Sequence, residues 1–281
     1  MKINIYIILL AIFGIFMSCE DVIDVEVTTA TPRLVIEASL DWEKGTIGNE
    51  QLIKLSMSTP YFDVTSDSGV SGASVKVTNT NSGEEFLFED QNDGTYTTSN
   101  FVPVLNDSYT LEVVYNNQTY LGSETLMPVT DISNVTQSVE GGFDDELLEL
   151  NVYFNDPADE ENYYFFRYYE EGDLFPLLAD LSDEFINGNE VHDFWEKQDD
   201  EDNNEEAFEP GDTVEVSLYG ISERYYNYVR LLIEQYYSGG DPFSSNAAQL
   251  RGNCVNQTNP DNYPFGYFRV TEFVKASYTF E

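Results

Sequence analysis

Basic side chains are the scarcest class in this sequence: 12 Lys and Arg stand against 52 Asp and Glu, a formal net charge of −40. A surface of that sign repels phosphate backbones, so nucleic acid is excluded as a partner, and an anionic lipid face would hold the body at a distance. Cysteine is nearly absent, with two residues, Cys19 and Cys254, so no disulfide framework can brace the fold. Histidine occurs once, at His192. A catalytic dyad or triad built on that imidazole needs a nucleophile beside it; the sequence has no G-x-S-x-G elbow and nothing that ties Cys254 to His192, so the reading is a surface histidine in a polar hairpin and no catalytic residue is assigned. Zinc-ligand spacing is missing as well, and no metal or cofactor site is assigned. Calcium is the one ion the acidic composition leaves open, at Asp156, Asp159 and Glu160 of NDPADEEN or in DQNDGT from Asp90 to Thr95; a polar strand connection is the favoured reading of both. Carboxylate pairs carry no information at this density of acids.

What is abundant points to a packed protein. Hydrophobic residues make up 41% and aromatics 15%, with 20 Tyr and 19 Phe, too much apolar matter for a disordered acidic chain. Most of the tyrosines alternate along strand-like segments, which suits sheet faces better than sugar stacking.

The N-terminus reads as an export address. Lys2 precedes an apolar run from Ile5 to Met17, too short to span a bilayer, and small Ser18 stands before Cys19. Residues 1–18 are therefore a signal peptide, with cleavage between Ser18 and Cys19. Phe16-Met17-Ser18-Cys19 resembles the lipobox of bacterial lipoproteins, which implies a covalent lipid on Cys19 and a tether from 19 to 31; without that resemblance the segment is an ordinary secretory signal. Glu20 and Asp21 directly behind the cysteine resemble the signal that sends such lipoproteins to the cell surface.

From Pro32 the pattern is period two: Leu34, Ile36 and Ala38, then Ile53, Leu55 and Met57, Val75 and Val77, Phe86 and Phe88, and Tyr109, Leu111 and Val113. Asp93-Gly94 predicts a two-residue hairpin loop and Asn116-Asn117 another turn. About seven short strands in roughly 100 residues predict a β-sandwich. The segments GASVKVTN, DGTY and YTLEVVY resemble bacterial immunoglobulin-like modules. Pro128 marks a boundary, so the expected fold is mainly β: two immunoglobulin-like β-sandwich domains, 32–128 and 129–281, the second carrying at least one packed α-helix. That helix is expected at about 222–237 from the spacing of Tyr225, Val229, Leu232 and Tyr236, with Ser222 as its cap and Gly239-Gly240 as its stop. NYYFFRYY, apolar on both faces, predicts a strand covered on both sides. The acidic run from Asp199 to Glu206 reads as a solvated loop.

Taken in order, the "P-x-L-V-I-E" opening strand, LSDEFINGNE, EPGDTVEVSLYGISERYYNYV, GGDPFSSNAAQLRGN and FGYF resemble the Bacteroidota lipoproteins of domain-of-unknown-function family 4249. The resemblance implies an outer-membrane lipoprotein, anchored through the lipid on Cys19 and facing the cell exterior. Its implied partner is a TonB-dependent barrel of the starch-utilisation type; the family supplies no catalytic residues. A stand-alone carbohydrate-binding or adhesive module is the alternative, and an enzyme the least favoured reading.

Overall fold

The structure, a computed structural model, describes residues 31–60, 68–158, 160–199, 206–238 and 250–281. The expected signal peptide, Cys19 and the expected tether as far as residue 30 lie outside the described residues.

Seven strands follow one another in the first part: β1 (Leu34–Glu43), β2 (Gln51–Met57), β3 (Ser74–Asn79), β4 (Glu85–Asp90), β5 (Thr95–Thr98), β6 (Ser108–Tyr115) and β7 (Gln118–Thr125). The alternation read from the sequence is the alternation of burial. Leu34, Ile36, Ala38 and Leu40 are buried, as are Val75 and Val77 of β3, while their neighbours are partly or fully solvated. One strand folds the sheet into two layers. The first half of β4 pairs with β3, at Phe86↔Val77 and Phe88↔Val75, and its last two residues pair with β5, at Glu89↔Thr97 and Asp90↔Tyr96. Ile36, Ile53 and Leu55 of one layer thereby share a core with Val77, Leu111 and Val113 of the other.

Two turns test the hairpin reading. Asn116 and Asn117 both take positive φ, 49° and 58°, and close Tyr115↔Gln118 as a two-residue loop. The Asp93-Gly94 loop is longer than expected. Gln91 N–H donates to the Thr95 carbonyl at 2.9 Å, leaving three residues, Asn92 to Gly94, in the loop. The extra residue is accommodated because Asn92 also accepts positive φ, at 65°, and because Asp93 Oδ1 accepts the Thr95 amide at 2.9 Å. Gly94, at φ 89°, leaves no room for a side chain, since a Cβ would sit 2.7 Å from Gly69 Cα.

Beyond Pro128, β8 (Ile132–Ser138), β9 (Glu149–Asn155) and β12 (Glu190–Glu196) form a three-stranded sheet in the order β12-β9-β8. It packs against β10 (Tyr163–Glu170), β11 (Leu177–Ser182), β13 (Thr213–Ile221) and β15 (Phe265–Thr279), enclosing Leu150, Val152, Phe154, Trp195, Tyr164, Phe166 and Val216. The tyrosine-rich β10 is covered on both faces, as its composition requires. Tyr164, Phe166 and Tyr168 enter this core, while Phe165 joins Tyr219 and Tyr267 beneath the helix α1 (Glu223–Ser238).

The molecule is mainly β, sandwich-like, with one α-helix among the described residues. The first hydrophobic core gathers residues from Leu34 to Leu126 together with Cys254, Phe268 and Val270 from beyond Pro128, and the second starts at Val129. Even so, Pro32–Glu281 form one compact unit. The strand common to both parts is β15: its first half pairs parallel with β1 from Val35↔Phe265 to Glu43↔Phe273, and its second half antiparallel with β13 to Thr213↔Thr279. Gly266, at φ 86°, permits the first pairing, because a Cβ there would collide with the Ile36 carbonyl. One continuous sheet of twelve strands results, with the two-residue strand β14 (Val255–Asn256) added beside β7.

Candidate binding pocket at the helix

Helix α1 starts where the sequence places a cap. Ser222 Oγ accepts the Tyr225 amide at 3.1 Å and the Ser222 carbonyl accepts that of Tyr226 at 2.9 Å, satisfying two first-turn donors. One stripe of the helix, Tyr225, Tyr226 and Val229, is buried on Phe165, Tyr219, Ile221 and Tyr267. The adjacent stripe, Arg224, Asn227, Tyr228, Leu231 and Gln235, repeats at helical spacing and lines a pocket of about 360 Å³. Leu250, Arg251 and Gly252 close its other side and Tyr267 its floor.

The floor is a built polar cluster. Tyr267 donates its hydroxyl to Glu124 Oε2 at 2.9 Å, and the Thr125 amide donates to Glu124 Oε1 at 3.0 Å. Glu124 is 8% exposed, and burial holds its carboxyl above the ordinary range against the opposing pull of these donors and of Arg224. Tyr228 packs its ring 4.7 Å from that of Tyr267, and burial pushes its hydroxyl up to about 12. Arg251 lays its guanidinium 4.1 Å over the Tyr263 ring, which also receives Arg33 at 3.9 Å. Arg224 is exposed and forms no hydrogen bond or ion pair among the described residues. Two of 12 cationic residues thus line one concavity of a chain with net charge −40. A wider trough of about 630 Å³ crosses β2, β4 and β5, but it is edged by Asp41, Glu50 and Glu89, which share the sign of the whole surface and mark nothing out.

A second polar arrangement sits on the outer face of the three-stranded sheet. His192 is exposed, stacks on Tyr153 at 4.7 Å and bonds through Nε2 to Asn151 Oδ1. The Asn151 amide in turn donates to Ser138 Oγ at 3.0 Å and Glu149 Oε1 at 3.3 Å. Glu149 is fully buried; burial opposes its charge, and the Ser138 hydroxyl with the Gly141 amide overcomes that and lowers its pKa. Cross-strand Glu196 accepts the amides of Phe143 at 2.7 Å and Asp144 at 3.2 Å. One oxygen of each, Glu149 Oε1 and Glu196 Oε2, accepts backbone amides of the β8–β9 loop and holds that loop in place, while Glu149 Oε2 is buried without a hydrogen-bond partner. His192 ends the relay against an aromatic ring rather than a hydroxyl or thiol.

The other residues singled out in the sequence are engaged in structure. Asp156 is buried and accepts from Tyr164 Oη at 2.6 Å and Gly188 N–H at 2.9 Å. Asp159 lies outside the described residues, and the Glu160 carbonyl takes the Asn187 side-chain amide at 2.9 Å. Asp90 caps turns, accepting Gly72 N–H at 2.6 Å and Asn92 N–H at 2.8 Å. Cys254 is buried between Gly122 and Phe268, and burial pushes its thiol up to about 12. Most of the acidic run, 200–205, falls outside the described residues. Sequence reasoning missed the pocket. The 224-227-228-231-235 stripe was available to it, but the second wall comes from 250–252 and the floor from β7 and β15.

No curated protein matches the chain. Among solved structures it is similar to the FN1–FN3 domains of chicken CNTN1, at 11% identity and TM-score 0.27, covering 67% of this chain and 63% of that one. It is also similar to a DUF4785 family protein from Legionella pneumophila, at 13% identity and TM-score 0.26, covering 69% and 53%. The chain spans less than two thirds of either, and such scores carry no functional inference. The family signal is of another order, since it runs from residue 20, directly after Cys19, to residue 276. This chain belongs to the family described as Domain of unknown function (DUF4249).

Proposed function

We propose that this protein is a non-enzymatic lipoprotein, held by a lipid on Cys19 at the outer membrane and facing the exterior, that serves as a binding partner of a TonB-dependent transporter of the starch-utilisation type. The observation that carries the reading is the N-terminal order: a basic residue, an apolar run from Ile5 to Met17, Ser18-Cys19, then the acids Glu20, Asp21, Asp24 and Glu26 before the first strand. Acyl chains on the cysteine would hold a body that its charge keeps off the anionic surface. The concave pocket at α1, with two arginines and the ring of Tyr228 in its lining, suits binding rather than bond-breaking chemistry.

The test has two arms. Cells given labelled palmitate should incorporate it into the wild-type chain and not into the Cys19→Ser variant, which should leave the membrane fraction. Affinity purification of the tagged wild-type chain from native outer membrane should recover a TonB-dependent barrel. Equal labelling of both forms would remove the anchor, and reproducible purification without a barrel would remove the partner.

A further inference from the structure

The pocket between α1 and Leu250–Gly252 has a chemistry that the anchoring reading does not use. Its two cations, Arg224 and Arg251, are guanidinium groups, whose planar fork matches a carboxylate with two parallel hydrogen bonds. The lining also holds Asn227 and Gln235, whose side-chain amides both donate and accept, the pairing that hydroxyl groups need. Tyr228 and Leu231 supply apolar wall for the carbon face of a ring. The volume, about 360 Å³, lies within the range of small-molecule sites. The nearby carboxyl, Glu124, is buried and hydrogen-bonded by the Tyr267 hydroxyl and the Thr125 amide, and it feels the charge of Arg224 without an ion pair to it. Among the described lining residues there are two guanidinium groups and no carboxylate.

We propose that this pocket binds a small hydroxylated carboxylate, of which a hexuronic acid is the simplest form, with the carboxylate on Arg224 and Arg251 and the sugar ring against Tyr228. The assignment stands independently of the lipid anchor and of the transporter.

Isothermal titration of the full chain in detergent, at low salt, compares glucuronate, galacturonate, glucose and inorganic phosphate as probes. A uronate is expected to bind, glucose to bind at least about tenfold more weakly, and affinity to fall as sodium chloride is raised. Arg224→Ala should lose about tenfold or more in uronate affinity. This variant tests the site without unfolding it, since Arg224 is exposed and bonded to nothing among the described residues. Three results would each overturn the proposal: no binding by either uronate, glucose binding as tightly as the uronates, or phosphate binding with both uronates inert. Uronate affinity unchanged in Arg224→Ala would also overturn it, by placing the ligand elsewhere.

Discussion

Buried charge is the least expected feature at the scale of single residues. Arg269 on β15 is 7% exposed and donates to both carboxylate oxygens of Asp41, at 2.6 and 3.1 Å among its contacts, and to the Tyr225 hydroxyl at 2.9 Å. Burial works against its charge, and Asp41 overcomes that to hold its pKa above the ordinary arginine value. The rings of Phe165, Tyr219 and Tyr225 surround the guanidinium at 5.0 to 5.6 Å. Removing one partner leaves a charge without compensation, so Asp41→Ala should destabilise by about 3 kcal/mol, the lower end of the range because Asp41 is partly solvated. Replacing both, as Asp41→Leu with Arg269→Met, should recover much of that loss, since a packed apolar pair avoids the desolvation cost. Urea midpoints of the wild type and the two variants check this; a double variant as unstable as Asp41→Ala would mean that the pair contributes net stability.

Elements show a sharper division between local and distant causes. Helix α1 was legible because its start, period and apolar stripe lie within a short window, and Ser222 performs the capping its residue type suggests. Ser222→Ala should cost about 1 kcal/mol, read as a lowered urea midpoint, and Ser222→Asp should restore most of it. An unchanged midpoint in Ser222→Ala would show that packing on Tyr219 and Tyr267 alone fixes the helix. The hairpins were legible at Asn116-Asn117 and only nearly so at Asp93-Gly94. In the latter, the loop length is set by contacts outside it: the Gly94 carbonyl accepts the Leu55 amide at 2.8 Å, from a strand about 40 positions earlier. Pro128 stood out as a change of pattern, but the first core also takes Cys254, Phe268 and Val270 from beyond it, and Pro32–Glu281 form one unit. The use of β15 by both parts was not visible, since its fifteen residues look like one ordinary strand.

For the molecule as a whole, charge governs how stability responds to solution conditions. With net charge −40, acids repel one another across the surface. Three partly or fully buried carboxyls add to this: burial raises the pKa of Glu124, Asp180 and Asp193 above ordinary values. A carboxyl raised in the folded state contributes stability that is complete below its unfolded pKa and is lost as pH rises through the folded one. Glu149, lowered, acts the other way, but its contribution is lost only as pH falls through a value below the ordinary range. The urea midpoint should therefore rise as pH is brought from about 7.5 to about 5.5, and rise with salt as the Debye length shortens from about 30 Å to about 8 Å. Glu124→Gln, which keeps an acceptor for Tyr267, should be at least as stable as wild type at neutral pH and show a flatter pH response. A midpoint that falls over this acid window would contradict the account.

The sequence by itself determined what depends on neighbours. Alternation assigned the faces of β1 to β7, the two-sided aromatic run predicted a covered β10, and three- and four-residue spacing located α1, because side-chain direction follows local backbone geometry. Composition settled the sign of the surface, and the first nineteen residues carried the export reading. The tertiary structure alone decided which strands meet. Val35 pairs with Phe265, Asp41 with Arg269, and Glu124 with Tyr267, each across more than a hundred residues. Periodicity says that a face is apolar but not which other face will cover it, and charge says nothing of which polar groups are desolvated together. The arginine pocket belongs to that second category. One of its walls is a stripe on a predictable helix, but it becomes a concavity only when residues 250–252 and Tyr267 return beside it.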